Sequence, residues 1–241
     1  MSSDWSSDVC SSDLLLIAGP DPAVVRRLVD GTRVVCEALP AVLGFDEAEA
    51  AGGTAVFVEY ELHGTPGPDD GRGARHDATR HAAADAAASS LTETFETGAQ
   101  EHVYLEPQAM AAWLEGDRIT VAGSMQCPFY VKKALATILG WSADRIRVVQ
   151  TTTGGAFGGK EDYPSVLAGY VATAALKAGR PVRLILDRSE DIRITTKRHP
   201  SRTTLASTLG EDGRLAATRV DILLDGGAYE GLSSTVLQRA M

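Results

Sequence analysis

The chain has 241 residues, a formal net charge of -9 and a pI near 5.0. Its 44% hydrophobic and 23% charged residues are typical of a globular protein with a buried core. Because no basic stripe offsets the acidic balance, we exclude nucleic acid as the main partner. No apolar run reaches the roughly 18 residues of a membrane span, and the three cysteines form no C-x-x-C pair. We therefore expect a cytoplasmic protein without a membrane partner.

Residues 1–13 contain the unit Ser-Ser-Asp three times. Such a short period matches no solenoid, whose repeats are about 20 residues or longer. We interpret residues 1–13 as a non-native segment and exclude them from the predicted fold. We also expect the native chain to extend beyond both ends of this sequence.

Residues 14–75 have the pattern of a small unit of mixed helices and strands. Asp21 can cap a helix that begins at Pro22, and Gly31 can end it. Residues 63–75 are rich in Gly, Pro, Asp and Arg and lack large apolar side chains, which is typical of a linker. The predicted elements of this unit are helices at 22–30 and 45–51 and strands at 32–37 and 56–62.

Residues 76–241 combine strand and helix patterns. The helical spacing of apolar residues is clearest at 128–139 and 163–178. Two strands meet at a Glu-Gly-Asp turn at 115–117, and we interpret 187–191 as an acidic turn. The other predicted elements are strands at 91–97, 147–153 and 181–186, a hairpin of 205–209 and 215–224, and a helix that begins at 233.

The glycine-rich stretch Thr153–Glu161 follows a strand pattern and precedes a helix pattern. It can be a glycine-rich turn without further function, or a phosphate loop, since Gly154, Gly159 and Lys160 fit G-x-x-x-x-G-K. It can also be a cradle whose backbone N–H groups face an anionic oxygen of a cofactor. A phosphate loop requires Ser or Thr after the lysine, and Glu161 stands there instead. The turn and the cofactor cradle remain open from the residues alone.

Five motifs, in one order along the chain, resemble the molybdenum-cofactor subunit of the xanthine dehydrogenase and aldehyde oxidase family. The resemblance extends over about residues 20–241. It implies an α+β fold, with a partial α/β-hammerhead domain at 14–75 and the first part of the molybdopterin-binding domain at 76–241. The motifs are Gly98–Glu106, Gly154–Glu161, Gly179–Arg183, Asp187–Asp191 and Lys197–Pro200.

The resemblance implies hydroxylation of an electron-poor carbon, with water as the source of oxygen. Electrons pass to molybdenum and then to [2Fe-2S] and FAD centres on partner subunits or domains, in an assembly expected to be a dimer of heteromers. Molybdenum is held by molybdopterin, so no direct protein ligand to the metal is expected. The cytosine dinucleotide form of the pterin, and fused or separate redox domains, both stay open.

The resemblance also assigns cofactor-binding roles to residues of two motifs. Gln100 would donate its side-chain amide to a molybdenum oxygen. The backbone at Gly155, Phe157 and Gly158 would contact the same cofactor, because glycines allow a close backbone approach.

Substrate roles follow for Glu161 and Arg239. Glu161 would lie in the substrate pocket, where a carboxylate favours purines such as xanthine and hypoxanthine, and Arg239 would neutralise negative charge that develops on the ring. An aldehyde or aromatic acyl-CoA substrate, or a non-catalytic fragment, remains the alternative. Because the catalytic base of the family lies beyond Met241, we expect the chain alone to be inactive.

Overall fold

A computed structural model describes residues 16–35, 44–50, 89–227, 229 and 231–240 of the chain. These residues fall into two compact units. The predicted strand at 56–62, the predicted linker and the boundary between residues 75 and 76 lie outside the described residues. The first unit comprises the described residues within Met1–Pro40, Leu105–Gly155 and Tyr163–Asp191, and the second comprises those within Ala41–Tyr104, Ala156–Asp162 and Ile192–Met241.

The described elements follow one another in a mixed order of helices and strands. The helices are α1 (Pro22–Gly31), α2 (Phe45–Ala50), α3 (Pro128–Leu139), α4 (Tyr163–Ala178), α5 (Arg188–Ile194) and α6 (Ser233–Ala240). The strands are β1 (Ser89–Thr97), β2 (Ala109–Glu115), β3 (Arg118–Gly123), β4 (Ile146–Gln150), β5 (Val182–Ile185), β6 (Ser201–Leu209) and β7 (Leu215–Leu224). The predicted α+β class is confirmed.

The first unit is built on a four-stranded sheet in the order β4-β3-β2-β5. Strands β2 and β3 form an antiparallel hairpin, whereas β3 and β4 are parallel and are connected through α3. Such a parallel connection needs a crossover, which the helix provides. Helix α1, also in this unit, begins as predicted, with the Asp21 carboxylate accepting a hydrogen bond of 2.8 Å from the Ala23 N–H.

Helices α3 and α4 pack on this sheet and enclose the apolar core of the first unit. The apolar residues of both helices recur at intervals of three or four, which places them on one face. Tyr163 begins α4 beside the core, and burial raises the pKa of its phenol well above the usual range. The core consists of Met110, Ala112, Ile119, Val121, Met125, Val131, Leu135, Ile146, Leu167, Ala168, Val171, Ala172, Ala175 and Leu186.

The second unit contains a three-stranded antiparallel sheet in the order β1-β6-β7. The predicted hairpin is confirmed as β6 and β7, with Leu205 opposite Val220. Strand β1 pairs with β6 along its whole length, yet all nine of its residues are exposed. Leu91 and Phe95 lie on the same face of β1, because side chains alternate along a strand. Backbone pairing therefore defines this sheet more than burial does.

Three local predictions were wrong in part. The predicted strand at 32–37 is absent over 32–35, where the chain leaves α1, and 36–37 lies outside the described residues. The predicted strand at 147–153 ends at Gln150. Residues 188–191 belong to α5, not to a turn. Among the described residues, no helix is both long enough and apolar enough to cross a membrane.

Two reciprocal hydrogen bonds between side chain and backbone cap the N-terminus of helix α5. The Asp187 carboxylate accepts a hydrogen bond of 2.8 Å from the Glu190 N–H, and the Glu190 carboxylate accepts one of 3.0 Å from the Asp187 N–H. This reciprocal pair is a capping box, which satisfies two N–H groups that the helix itself cannot. The D-x-x-E spacing was visible in the sequence and favoured a helix over the predicted turn.

Candidate functional site

The loop between β4 and α4 has the backbone geometry expected of a tight glycine cradle. Gly155, Phe157 and Gly158 have φ values of 93°, 54° and 97°. The left-handed region is uncommon for a residue with a side chain, so Phe157 marks a constrained position. Phe157 is 77% exposed. Gly155 belongs to the first unit, and Phe157 and Gly158 belong to the second.

In the first unit, the loop is anchored where it begins. Glu106 and Gly154 exchange two hydrogen bonds: the Gly154 N–H donates to the Glu106 carboxylate at 2.8 Å, and the Glu106 N–H donates to the Gly154 carbonyl at 3.1 Å. A Cβ at position 154 would lie 2.6 Å from the Glu106 Cβ. Glycine is therefore required at 154 by this close approach of Glu106.

In the second unit, the end of the loop packs against the buried Tyr104 and the half-buried His102. A Cβ at Gly159 would lie 2.6 Å from the Tyr104 ring and 2.9 Å from Nδ1 of His102. The Lys160 ammonium lies 4.6 Å from the centroid of the Tyr104 ring, and both side chains are almost completely buried. This cation–π contact keeps Lys160 inside the unit. A buried ammonium of this kind cannot serve as the exposed cation of a phosphate loop.

Gln100 lies in a short antiparallel contact between two of the quoted motifs. Its backbone forms an isolated β-bridge with Arg198, whose N–H donates to the Gln100 carbonyl at 3.0 Å. The Gln100 side-chain oxygen accepts a hydrogen bond of 2.6 Å from the Arg198 guanidinium. The motifs Gly98–Glu106 and Lys197–Pro200 thus meet in space.

The next residue pair of these motifs is also joined. The Lys197 ammonium lies 2.8 Å from the Glu101 carboxylate, and the two side chains are 28% and 16% exposed. The other oxygen of Glu101 accepts a hydrogen bond of 3.1 Å from the His102 N–H. Lys197 donates in addition to the Thr195 carbonyl at 2.6 Å. Glu101 and Lys197 therefore fix the segment that carries Gln100 by polar contacts.

Glu161 and Arg239 are also brought together in the second unit. Nη1 of Arg239 lies 3.7 Å from Oε2 of Glu161, and the two side chains are 65% and 22% exposed. Arg239 is carried by α6, whose first residue, Ser233, shares a hydrogen bond of 2.7 Å with the His199 ring. The motif that contains His199 thus contacts both the Gln100 segment and the start of α6.

The residues that sequence reasoning missed are those that hold the predicted site residues. Arg198, Lys197 and Glu106 stand in the quoted motifs, but their partners could not be inferred from local patterns. The opposite charges of Glu101 and Lys197 were the one sequence feature compatible with an ion pair. Local sequence patterns do not predict that these two residues pair with each other. Of the predicted site residues, Gln100, Phe157, Gly158, Glu161 and Arg239 lie in the second unit and Gly155 lies in the first.

The donors of this region suit a ligand that offers oxygen acceptors. The Gln100 side chain uses its oxygen toward Arg198, and no described residue accepts a hydrogen bond from its amide nitrogen. Phe157 and Gly158, which belong to the same unit, have their backbone in the left-handed region. Amide and backbone N–H groups bind oxo and phosphate oxygens well. The residues present therefore fit a cofactor with anionic oxygens.

Comparison with known proteins identifies the family to which the chain belongs. Residues 70–241 match the family described as the molybdopterin cofactor-binding domain. The chain is 32% identical over 215 residues to xanthine dehydrogenase from Emericella nidulans, a match covering 87% of this chain and 14% of that protein. It is 39% identical over 146 residues to aldehyde oxidase 1 from Bos taurus, covering 60% and 11%.

A third relative is the nicotinate dehydrogenase large molybdopterin subunit from Eubacterium barkeri. It is 27% identical over 232 residues, and the match covers 94% of this chain and 52% of that subunit. The chain therefore spans about half the length of this subunit and less than a sixth of the other two relatives.

Solved structures show the same fold. Aldehyde oxidoreductase from Desulfovibrio gigas superposes with a TM-score of 0.75 at 24% identity, over 91% of this chain and 24% of that one. Quinoline 2-oxidoreductase from Pseudomonas putida 86 superposes with a TM-score of 0.66 at 22% identity, over 87% and 26%. The chain belongs to the molybdopterin cofactor-binding domain family, the family of the xanthine dehydrogenases and aldehyde oxidases.

Proposed function

We propose that this chain supplies part of the cofactor and substrate site of a molybdenum hydroxylase that oxidises a purine-like N-heterocycle such as xanthine or hypoxanthine. The observation that carries the proposal is the Glu161 carboxylate, which is 22% exposed and lies 3.7 Å from Arg239. A carboxylate and a guanidinium side by side suit a ring that donates an N–H and bears an oxygen. Two of the relatives are named for xanthine and nicotinate, which are both N-heterocycles.

The cofactor of this site would be molybdopterin. The side-chain amide of Gln100 would donate to one of its oxygens, and the backbone at Gly155, Phe157 and Gly158 would lie against it. When bound, the cofactor supplies the two-electron oxidation, with oxygen from water and electrons passed to [2Fe-2S] and FAD centres on partner subunits or domains. The chain's own contribution is to hold and orient it.

Glu161 and Arg239 would act on the substrate ring. Glu161 would accept a hydrogen bond from a ring N–H and so fix which carbon faces the reaction centre. Arg239 would donate to a ring oxygen and stabilise negative charge that develops there. In the structure, the two charged groups form an ion pair with 3.7 Å between Nη1 of Arg239 and Oε2 of Glu161.

The test uses the holoenzyme that contains this chain, assayed with a dye acceptor on xanthine, hypoxanthine and an aromatic aldehyde. In Glu161→Val, kcat/KM for the purines is expected to fall about 10- to 100-fold, the usual effect of losing a hydrogen bond to a charged group. Glu211→Val, in the exposed turn between β6 and β7, is the matched control and is expected to change nothing.

The aldehyde alternative is favoured by the relative named aldehyde oxidase 1. Under that alternative, the wild type turns over the aldehyde and Glu161→Val leaves this activity intact. A holoenzyme that binds molybdenum but oxidises neither purine contradicts the purine assignment. A protein that binds no molybdenum supports the third possibility, a chain that only assembles with partner subunits.

A further inference from the structure

The motif Lys197–Pro200 has no part in the proposed chemistry, yet it lies along the segment that carries Gln100. The Arg198 N–H donates to the Gln100 carbonyl at 3.0 Å, and the two residues form an antiparallel β-bridge. This backbone pairing brings the Arg198 side chain alongside the Gln100 side chain. The two residues are 98 positions apart in the sequence.

The Arg198 guanidinium makes two further contacts with the same segment. Nη1 donates to the Gln100 side-chain oxygen at 2.6 Å, and Nη2 donates to the Gly98 carbonyl at 2.7 Å. A guanidinium offers a planar pair of donors, and two hydrogen bonds fix its orientation as well as its position. Arg198 is therefore held in one arrangement by its backbone and by both terminal nitrogens.

This arrangement decides which end of the Gln100 amide faces Arg198. The oxygen and nitrogen of a glutamine amide are similar in shape, so either end could face a neutral neighbour. Arginine has donors and no acceptor, so the atom that faces it has to be the oxygen. The amide nitrogen of Gln100 is then directed away from Arg198, where no described residue accepts its hydrogen bonds.

We propose that Arg198 is a positioning residue that holds the Gln100 side-chain amide with its NH2 group presented to an oxygen of the cofactor. The inference rests on the proposed function, because the acceptor is a molybdopterin oxygen. Without Arg198, the amide can turn over and present its own oxygen to an anionic acceptor, which is repulsive. Arg198 thus acts through Gln100 and does not itself touch the cofactor.

Lys197 cannot take over this task. Its ammonium is held by the Glu101 carboxylate at 2.8 Å and by the Thr195 carbonyl at 2.6 Å. The contact with Glu101 joins the Lys197 segment to the Gln100 segment. Among the described residues, Arg198 is the cation that donates a hydrogen bond to the Gln100 side-chain amide.

The experiment measures how fast the holoenzyme loses molybdenum, by elemental analysis after gel filtration at increasing times. The variants are Arg198→Met, Gln100→Met and the double variant. Arg202→Met is the matched control, since Arg202 also makes two side-chain hydrogen bonds in the same unit, to Glu96 at 2.7 Å and to Asp46 at 2.8 Å, and none to Gln100. Global unfolding is followed in parallel for every variant.

Arg198→Met and Gln100→Met are each expected to speed cofactor loss about five- to tenfold, the effect of one lost hydrogen bond. The double variant is expected to match Gln100→Met alone, because Arg198 acts only through that amide. A merely structural arginine would instead give additive losses that follow the unfolding data.

Two results overturn the inference while the proposed function stands. In the first, the wild type holds molybdenum and Arg198→Met behaves like Arg202→Met. In the second, the effects of the two single variants add in the double variant. A wild type that holds no molybdenum overturns the proposed function, and the inference falls with it.

Discussion

The interactions that stabilise the first unit differ in kind from those described within the second unit. In the first unit, helices α3 and α4 enclose an apolar core on a four-stranded sheet. In the second unit, β1 is exposed along its whole length, and the described contacts around Gln100 and Glu161 are ion pairs and hydrogen bonds. The hydrophobic effect does not depend on the orientation of the groups that it buries, whereas hydrogen bonds require particular distances and angles between individual atoms. The second unit therefore carries most of the predicted site residues at defined positions.

The largest expected effect tests the apolar side of this comparison. Leu135 of α3 is completely buried in the first unit. Leu135→Ala is expected to lower the free energy of unfolding by about 2–5 kcal/mol, since it removes apolar contacts and leaves a cavity. Urea denaturation followed by circular dichroism measures the change.

The matched control for Leu135 lies in the second unit. Leu91 of β1 is 61% exposed, so Leu91→Ala is expected to change the free energy of unfolding by less than about 0.5 kcal/mol. Equal losses for the two leucine variants would show that the β1-β6-β7 sheet depends on apolar burial as much as the first unit does. The contrast between the units would then be wrong.

The first unit was also the more predictable from the sequence. Helices α3 and α4 begin and end at the predicted residues, because their buried positions recur at helical spacing and Pro128 and Gly179 mark their limits. The same reasoning misread 187–191 as a turn, since acidic residues suggested solvent, whereas the capping box of Asp187 and Glu190 starts α5.

The site was predictable only in part, and for a physical reason. The family resemblance identified Gln100, Glu161 and Arg239 as candidates, and their assigned roles stay predictions. The Arg198 and Lys197 contacts join segments that are almost one hundred residues apart. Local periodicity reports which face of an element is buried and carries no information about distant polar partners.

The next largest effect concerns the close packing at the end of the glycine loop. Gly159→Ala would place a Cβ 2.6 Å from the buried Tyr104 ring. Because Tyr104 is 1% exposed, we expect a loss of about 1–3 kcal/mol in the free energy of unfolding. Amide hydrogen exchange in the second unit measures it locally.

Gly98→Ala is the control for Gly159. A Cβ at position 98 would meet nothing within 4 Å, so this variant is expected to be neutral within about 0.5 kcal/mol. A Gly159→Ala variant as stable as Gly98→Ala would mean that Tyr104 and His102 do not restrict the loop. The second unit would then be less tightly specified than its contacts indicate.

A smaller effect is expected from the partly buried ion pair of the site. Lys197→Met leaves the Glu101 carboxylate, which is 16% exposed, without the cation at 2.8 Å. After allowance for solvent screening, we expect a loss of about 1–2 kcal/mol in the free energy of unfolding. Urea denaturation measures this change in the free energy of unfolding, and a comparison of low and high salt shows how far salt screens the ion pair.

Arg214→Met provides the exposed counterpart in the same unit. Arg214 and Asp212 lie 3.9 Å apart with side chains 88% and 65% exposed, and such a surface pair contributes at most a few tenths of a kcal/mol. If Lys197→Met were as mild as Arg214→Met, the polar contacts of the Gln100 segment would be ordinary surface pairs.

The smallest expected effect tests whether one hydrogen bond positions α6. Ser233 is 6% exposed and shares a hydrogen bond of 2.7 Å with His199. Ser233→Ala is expected to lower the local stability of α6 by about 0.5–1.5 kcal/mol, because one hydrogen bond is lost. Faster amide hydrogen exchange in α6 would measure this change, and Ser234→Ala on the same helix is the control. Because α6 carries Arg239, the proposed purine oxidation predicts a higher KM for xanthine in Ser233→Ala, while the first unit keeps its exchange rates. A directional polar contact should affect only the segment that it holds. Faster exchange in both units would therefore contradict the contrast between the polar contacts of the second unit and the apolar core of the first.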